Sequence, residues 1–318
     1  MDASKLLPLI GIVIFIAVLL STGIMDIVDI IIRADPALLL IVLSLQIPVI
    51  VIKAGKWKIL THAYGRGASL KECIQSWLVG FVIGIVTPGR MGELSKAYYL
   101  KDRISLGRGI GTIVVDRIAD ISVLFTLAIL GTILFIYSGF LEMDIIYLLV
   151  TLFVVFIALT LFVLAKGDLV KRFAGPVFRR IVPHRHKPGM RKTFHDFYTG
   201  LGDIRRRWQL VAVSVALSFV SWSFAILQYK LIATALSLQI GYLFLLSVMP
   251  LVTLLDTLPI SFSGLGTREI ALIIFLGMLN VSAGEAVSFS VLIFLLGYLV
   301  LVPFGLIFWF MKPIKIEF

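Results

Sequence analysis

Three short stretches place ionisable side chains inside strongly apolar sequence. Thr87-Pro88-Gly89-Arg90-Met91-Gly92-Glu93 sets an arginine and a carboxylate three residues apart, between glycines. Asp116-Arg117-Ile118-Ala119-Asp120 sets two carboxylates one helical turn apart, with a base beside them. Pro259 to Glu269, PISFSGLGTRE, offers Ser261, Ser263, Gly264 and Gly266 before Arg268-Glu269. A charge at the centre of a bilayer costs roughly 2.5–3.5 kcal/mol on insertion scales, so each cluster needs a use or a partner.

The chemistry these residues suit is anion recognition. Thr87 is a good N-cap and Pro88 fits a first helical position, with Met91 to Leu100 continuing as helix. A helix that starts at membrane depth presents free N–H groups and partial positive charge, a fit for phosphate. Arg90 adds a planar fork of donors, and Glu93 can orient or neutralise an arginine. Thr267-Arg268-Glu269 opens the next helix in the same style, so Arg90 and Arg268 are the expected phosphate contacts, held by Glu93 and Glu269. The alternative is that both tips only cap broken helices and pair internally. Asp116, Arg117 and Asp120 are expected to balance an arginine from a tip, or to be ordinary interface charge. Asp256 and Lys230 are isolated charges in apolar sequence; they bind a coupling ion or proton, or pair with each other.

The elements that must position these groups are transmembrane helices. Of 318 residues, 60% are hydrophobic and 15% charged, and mean hydropathy is +1.07; soluble domains carry about a quarter charged residues. Continuous apolar runs, not alternating ones, exclude a β-barrel. Full spans are expected at 6–24, 36–52, 109–139, 145–165, 210–236 and 287–311, each near the ~20 residues that a bilayer core requires. The first run, with a weak basic start and no cleavage site, reads as a retained span. Basic residues crowd 53–72 (Lys53, Lys56, Lys58, Arg66, Lys71), 96–108 (Lys96, Lys101, Arg103, Arg108) and 166–209, while Asp26, Asp29, Asp35, Glu142 and Asp144 mark the other side. This asymmetry places both termini in the cytoplasm and accounts for the net charge of +11 without nucleic acid.

Residues 73–100 and 242–280 do not fit as simple spans. Each has two arms too short to cross, flanking a Gly/Pro-rich tip, and each reads as a re-entrant helical hairpin, one from either side. The expected fold is therefore an all-α polytopic membrane protein of about six full helices and two re-entrant hairpins, arranged as inverted-topology repeats in a single domain, 1–318. Its first half is 1–165 and its second 210–318. Such architectures hold substrate near the midplane between broken helices. Eight plain crossings with kinked helices are the alternative. In loop 166–209, Leu169 to Ile181 and Phe194 to Trp208 repeat apolar residues at helical spacing among bases, as interfacial helices do. A solvated loop is the other reading.

The three stretches together resemble the family named for the lysylphosphatidylglycerol synthase transmembrane region. That family carries Thr-Pro-Gly-x-x-Gly-Glu, then an acidic-Arg-x-x-Asp motif, then Pro-x-Ser-x-x-Gly-x-Gly-x-x-Glu. Thr87, Pro88, Gly89, Gly92 and Glu93, then Asp116, Arg117 and Asp120, then Pro259, Ser261, Gly264, Gly266 and Glu269 match in that order, and the likeness spans essentially the whole chain. The resemblance implies a lipid flippase that moves aminoacylated phosphatidylglycerol or polyprenyl-linked sugars. Its implied partners are membrane lipids and a cytosolic or membrane glycosyltransferase or aminoacyl-lipid synthase. Bifunctional members append a soluble aminoacyl-transferase domain; with the chain ending at Phe318, synthesis of the aminoacyl lipid is not expected of it.

Function therefore reads first as a flippase for an anionic lipid-linked molecule in the cell membrane, with no cofactor and no metal. An ion-coupled carrier of a small solute, and a non-transporting membrane partner that docks a cytosolic transferase, are the competing readings. An enzyme has little support. Cys73 is the single cysteine, and His62, His184, His186 and His195 have no helical metal spacing.

Overall fold

The computed structural model describes residues 7–64, 67–137, 143–165 and 187–312, and these are helical with short connections. The helices are α1 (Leu7–Thr22), α2 (Ile24–Ile32), α3 (Pro36–Thr61), α4 (Leu70–Ile85), α5 (Ser95–Tyr99), α6 (Leu106–Tyr137), α7 (Met143–Ala165), α8 (Lys187–Arg206), α9 (Trp208–Ala235), α10 (Tyr242–Asp256), α11 (Thr267–Gly277), α12 (Ala283–Gly297) and α13 (Val302–Met311).

Local chemistry starts the helices where it is placed. Asp35 accepts from the Ala37 and Leu38 amides ahead of Pro36. Ser69 with Glu72, and Ser282 with Glu285, form reciprocal capping boxes at the starts of α4 and α12. The stretches Pro36–Tyr64, Trp208–Ala235 and Ala283–Met311 are each long and apolar enough to cross a membrane. A fourth is added if α1 and α2, bent by 79° at Gly23, count as one span. Exposed Leu, Ile, Val and Phe side chains cover the outer faces of α3, α7 and α13, as a lipid-facing surface requires.

Two helical hairpins pack among these stretches. The first runs down α4, turns at 86–87 and returns through a 3₁₀ turn, Pro88–Leu94, into α5. The second descends α10 and returns through α11. At 1.5 Å per residue, α4 with 16 residues and α10 with 15 reach about 22–24 Å, short of a ~30 Å hydrocarbon core.

Several sequence expectations are corrected. The span placed at 36–52 continues to Thr61, because nothing between Ile52 and Thr61 breaks a helix except the tolerated Gly55. Lys53 and Lys56 are consequently part of α3 and not of a basic loop. Asp26 and Asp29 belong to α2. The last span breaks at Tyr298, between α12 and a 3₁₀ turn at Leu299–Leu301. Met91 to Leu100 is not one helix: Gly89 (φ 57°) and Arg90 (φ 55°) both adopt left-handed backbone, and the return arm is 3₁₀ before it is α. Of the two amphipathic stretches, Leu169 to Ile181 lies outside the described residues. The second lies in α8 up to Arg206, with Trp208 opening α9; α8 packs along α6, buries Leu201 and Ile204 with Leu60 and Ala63, and carries a basic outer face.

Candidate functional site

The two hairpin tips touch. A Cβ at Gly89 would stand 3.4 Å from the Pro259 Cβ, and Ser263 Oγ donates to the Ile85 carbonyl at 3.2 Å. Thr87 Oγ1 accepts from the Gly92 amide at 2.8 Å and donates to the Ile83 carbonyl, so it closes the first tip on itself. Glu93 lies against α4 where Gly84 leaves room; a Cβ there would meet Glu93 Cγ at 2.9 Å.

Glu93 pairs with Arg117 of α6, and not with Arg90 as the sequence suggests. The α6 cluster does balance the first tip, with the signs reversed: its arginine meets the tip's glutamate. Asp116 and Asp120 take a different cation. Lys56 Nζ of α3 lies 2.9 Å from Asp116 Oδ1 and 2.6 Å from Asp120 Oδ1, and donates to Ser218 Oγ at 3.0 Å. Lys96 Nζ of α5 reaches the other Asp116 oxygen at 3.3 Å, under the ring of Trp57. Lys56 and Lys96 are each only 1% exposed, so the carboxylates one turn apart on α6 organise three helices. Charges buried this deeply persist only when paired, and here each has its partner.

The second tip is an internal lock. Arg268, 1% exposed, donates to Asp256 through Nε (3.0 Å) and Nη2 (2.8 Å), and to the Ser263 carbonyl. Gly264, at φ 84°, is the only residue type that fits between them: any Cβ would collide with Asp256 Oδ1. Glu269 does not hold Arg268. It accepts from the Gly266 amide and from Ser290, both at 2.6 Å, and so caps α11. Ser261 shares a hydrogen bond with Thr267. Asp256 and Lys230 are not partners, since Lys230 Nζ donates to the Ile240 carbonyl at 2.7 Å. Arg268 is thus enclosed by protein, and its expected role as a direct phosphate contact gives way to that of a tip-fixing residue.

Tyr298, missed in the sequence, joins the two tips. The Arg90 and Arg268 guanidinium carbons lie 4.9 Å and 5.0 Å from its ring centroid, and Arg90 Nη2 donates to its hydroxyl. Phe294 stacks on the same ring and Phe81 packs against it at a tilt. Its signal in the sequence was the Gly297-Tyr298 step ahead of Pro303, within an otherwise uninterrupted apolar run.

These groups surround a cleft of about 120 Å³. Its charged lining is Lys53, Lys56, Arg90, Glu93, Asp116, Arg117 and Asp120. The lining also carries apolar side chains, among them Val42, Leu124, Ile232 and Ile293, together with Tyr298. Of the site residues read from the sequence, Arg90 and Glu93 of the first tip and all three of the α6 cluster reach this cleft. Those of the second tip, from Ser261 to Glu269, are not among its lining residues. Lys53, Lys56 and Lys96 were readable only as loop charge, because a base count does not say which way a helix face turns.

The model for the lysylphosphatidylglycerol synthase TM region matches residues 8–305. A UPF0104 membrane protein of Methanocaldococcus jannaschii is 26% identical over 310 residues, 93% of this chain and 91% of that one. A second UPF0104 membrane protein, of Methanothermobacter thermautotrophicus, is 26% identical over 90% of this chain and 88% of its own. One of Pyrococcus horikoshii is 21% identical over 90% of each. Three charged motifs in order, a multi-pass helical body and a family match along nearly the whole length agree: the chain is a membrane protein that belongs to the lysylphosphatidylglycerol synthase transmembrane-region family.

Proposed function

We propose that this protein translocates an anionic lipid-linked molecule across the membrane, with the phosphate in the cleft at the hairpin tips and the lipid chains in the bilayer. The observation that carries the reading is the mixed lining of the cleft. Charged side chains, two of them cations without a carboxylate at ion-pair distance, share the lining with apolar ones, which suits an amphiphile whose headgroup and chain need different surroundings. In this reading the short hairpins are re-entrant from opposite sides, about six full helices cross, and both termini are cytoplasmic. The basic outer face of α8 then lies on the cytoplasmic side, within reach of a transferase that makes or uses the lipid.

The test is translocation in proteoliposomes. Fluorescent short-chain phosphatidylglycerol and a fluorescent prenyl phosphate are followed by their protection from an impermeant quencher. At least one should cross faster than in protein-free vesicles, and Arg90→Ala should slow it at least tenfold while the protein stays monodisperse. If neither lipid outpaces empty vesicles, the transport reading fails.

A further inference from the structure

Charge in the cleft is not balanced. Lys56 and Arg117 of the lining, with Lys96 outside it, are matched by Asp116, Asp120 and Glu93, three cations against three carboxylates in contact. Two lining cations remain. Lys53 Nζ sits 4.7 Å from the Trp222 ring centroid, and Arg90 leans on Tyr298. Neither has a carboxylate at ion-pair distance among the described residues. Arg90 Nε is buried and makes no hydrogen bond there. A buried guanidinium N–H without an acceptor is costly, and an oxyanion would satisfy it. Aromatic faces hold both cations meanwhile, a weaker interaction that an anion can displace.

Resting on the reading of this cleft as a lipid headgroup site, we propose that its ligand is a lipid with a terminal phosphate or diphosphate, about two negative charges or more and no amine. A phosphodiester brings one negative charge for two waiting cations. A lysyl ester of phosphatidylglycerol adds ammonium groups beside Lys53 and Arg90, so its headgroup is repelled where the phosphate is attracted. Exclusion by like charge is how such a site discriminates. The apolar part of the lining (Val42, Leu124, Ile232, Ile293) distinguishes a lipid phosphate from free phosphate, since only the lipid can cover it.

Binding to the purified full chain in detergent tests this. The probes are farnesyl phosphate, dioctanoyl phosphatidic acid, dioctanoyl phosphatidylglycerol, its lysyl ester and inorganic phosphate. Both phosphomonoester lipids should bind at least tenfold more tightly than the lysyl ester, and at least a hundredfold more tightly than inorganic phosphate. Binding should change tryptophan emission as Lys53 leaves the indole, and Trp222→Phe should remove that change. Lys53→Met, which keeps the side-chain stem over Trp222, should weaken the phosphomonoesters at least tenfold and narrow their lead over phosphatidylglycerol; Lys53→Arg should restore both. Equal or tighter binding of the lysyl ester overturns the assignment, as does an unchanged preference in folded Lys53→Met. Inorganic phosphate binding as tightly as the lipids overturns its lipid part. The wild-type comparison decides the matter even if a variant fails to fold. Phosphomonoester binding without translocation would remove the transport reading and leave this one standing; translocation of the lysyl ester with no preference for phosphomonoesters would do the reverse.

Discussion

Ser263 donates to the Ile85 carbonyl, so the tip of one hairpin completes a backbone hydrogen bond at the end of the other hairpin's first helix. The α4 terminus leaves carbonyls without intrahelical donors, and residues 178 positions apart in the chain resolve that need between them. The tips are thus one structural unit built from two distant segments.

That unit can be locked. With Cys73 replaced by Ala, Gly89→Cys and Pro259→Cys should form a disulfide on mild oxidation, because the side-chain positions lie 3.4 Å apart, near the usual Cβ separation for such a bond. Loss of both free thiols, read by mass after alkylation, checks it. If transport separates the tips, oxidation abolishes translocation and reductant restores it.

Arg117→Ala should destabilise the protein by about 3–5 kcal/mol, because Glu93 is left buried without its cation. Adding Glu93→Gln should recover part of the loss. Unfolding of the two single variants and the double variant in one detergent gives the coupling, and additive losses would refute direct pairing.

Lys56 and Lys53 lie one turn apart on α3 with opposite expected consequences. Lys56→Met removes the cation between Asp116 and Asp120 and should cost about 3–5 kcal/mol. Lys53→Met breaks no ion pair and should change stability by less than about 1 kcal/mol. Thermal unfolding of the pair distinguishes the structural lysine from the ligand-facing one.

Gly264→Ala should destabilise strongly, since its Cβ meets Asp256 and its backbone is left-handed. Gly202→Ala in α8 is the control. Nothing lies within 4 Å of its Cβ, so alanine should stabilise by up to about 1 kcal/mol. Comparable losses at both positions would count against the lock at the second tip.

For topology, a cysteine at Asp29 should react with an impermeant thiol reagent added outside intact cells, and one at Arg191 should not. Both positions are exposed. Labelling of residue 191 from outside reverses the orientation on which the cytoplasmic role of α8 depends.

Apolar periodicity and capping signals made most of the helices legible, because they are local properties of the chain. The charged motifs were legible as places where burial needs compensation. Their partners were not. Arg90 and Glu93 are close in sequence, so they invite pairing, yet the backbone turns left-handed at Gly89 and Arg90 and sends the two side chains to different neighbours. Lys56 and Lys96 looked like topogenic charge because bases near span ends usually are. Only the crossing of α3 and α5 with α6 reveals that they neutralise Asp116 and Asp120.

Tyr298 ends α12 and contacts both tip arginines. A single ring therefore acts as a common bearing. The segment beyond it, α13, packs on α4, so a displacement carried through this ring would reach both hairpins. A spectroscopic label on either tip should therefore report a displacement of that ring.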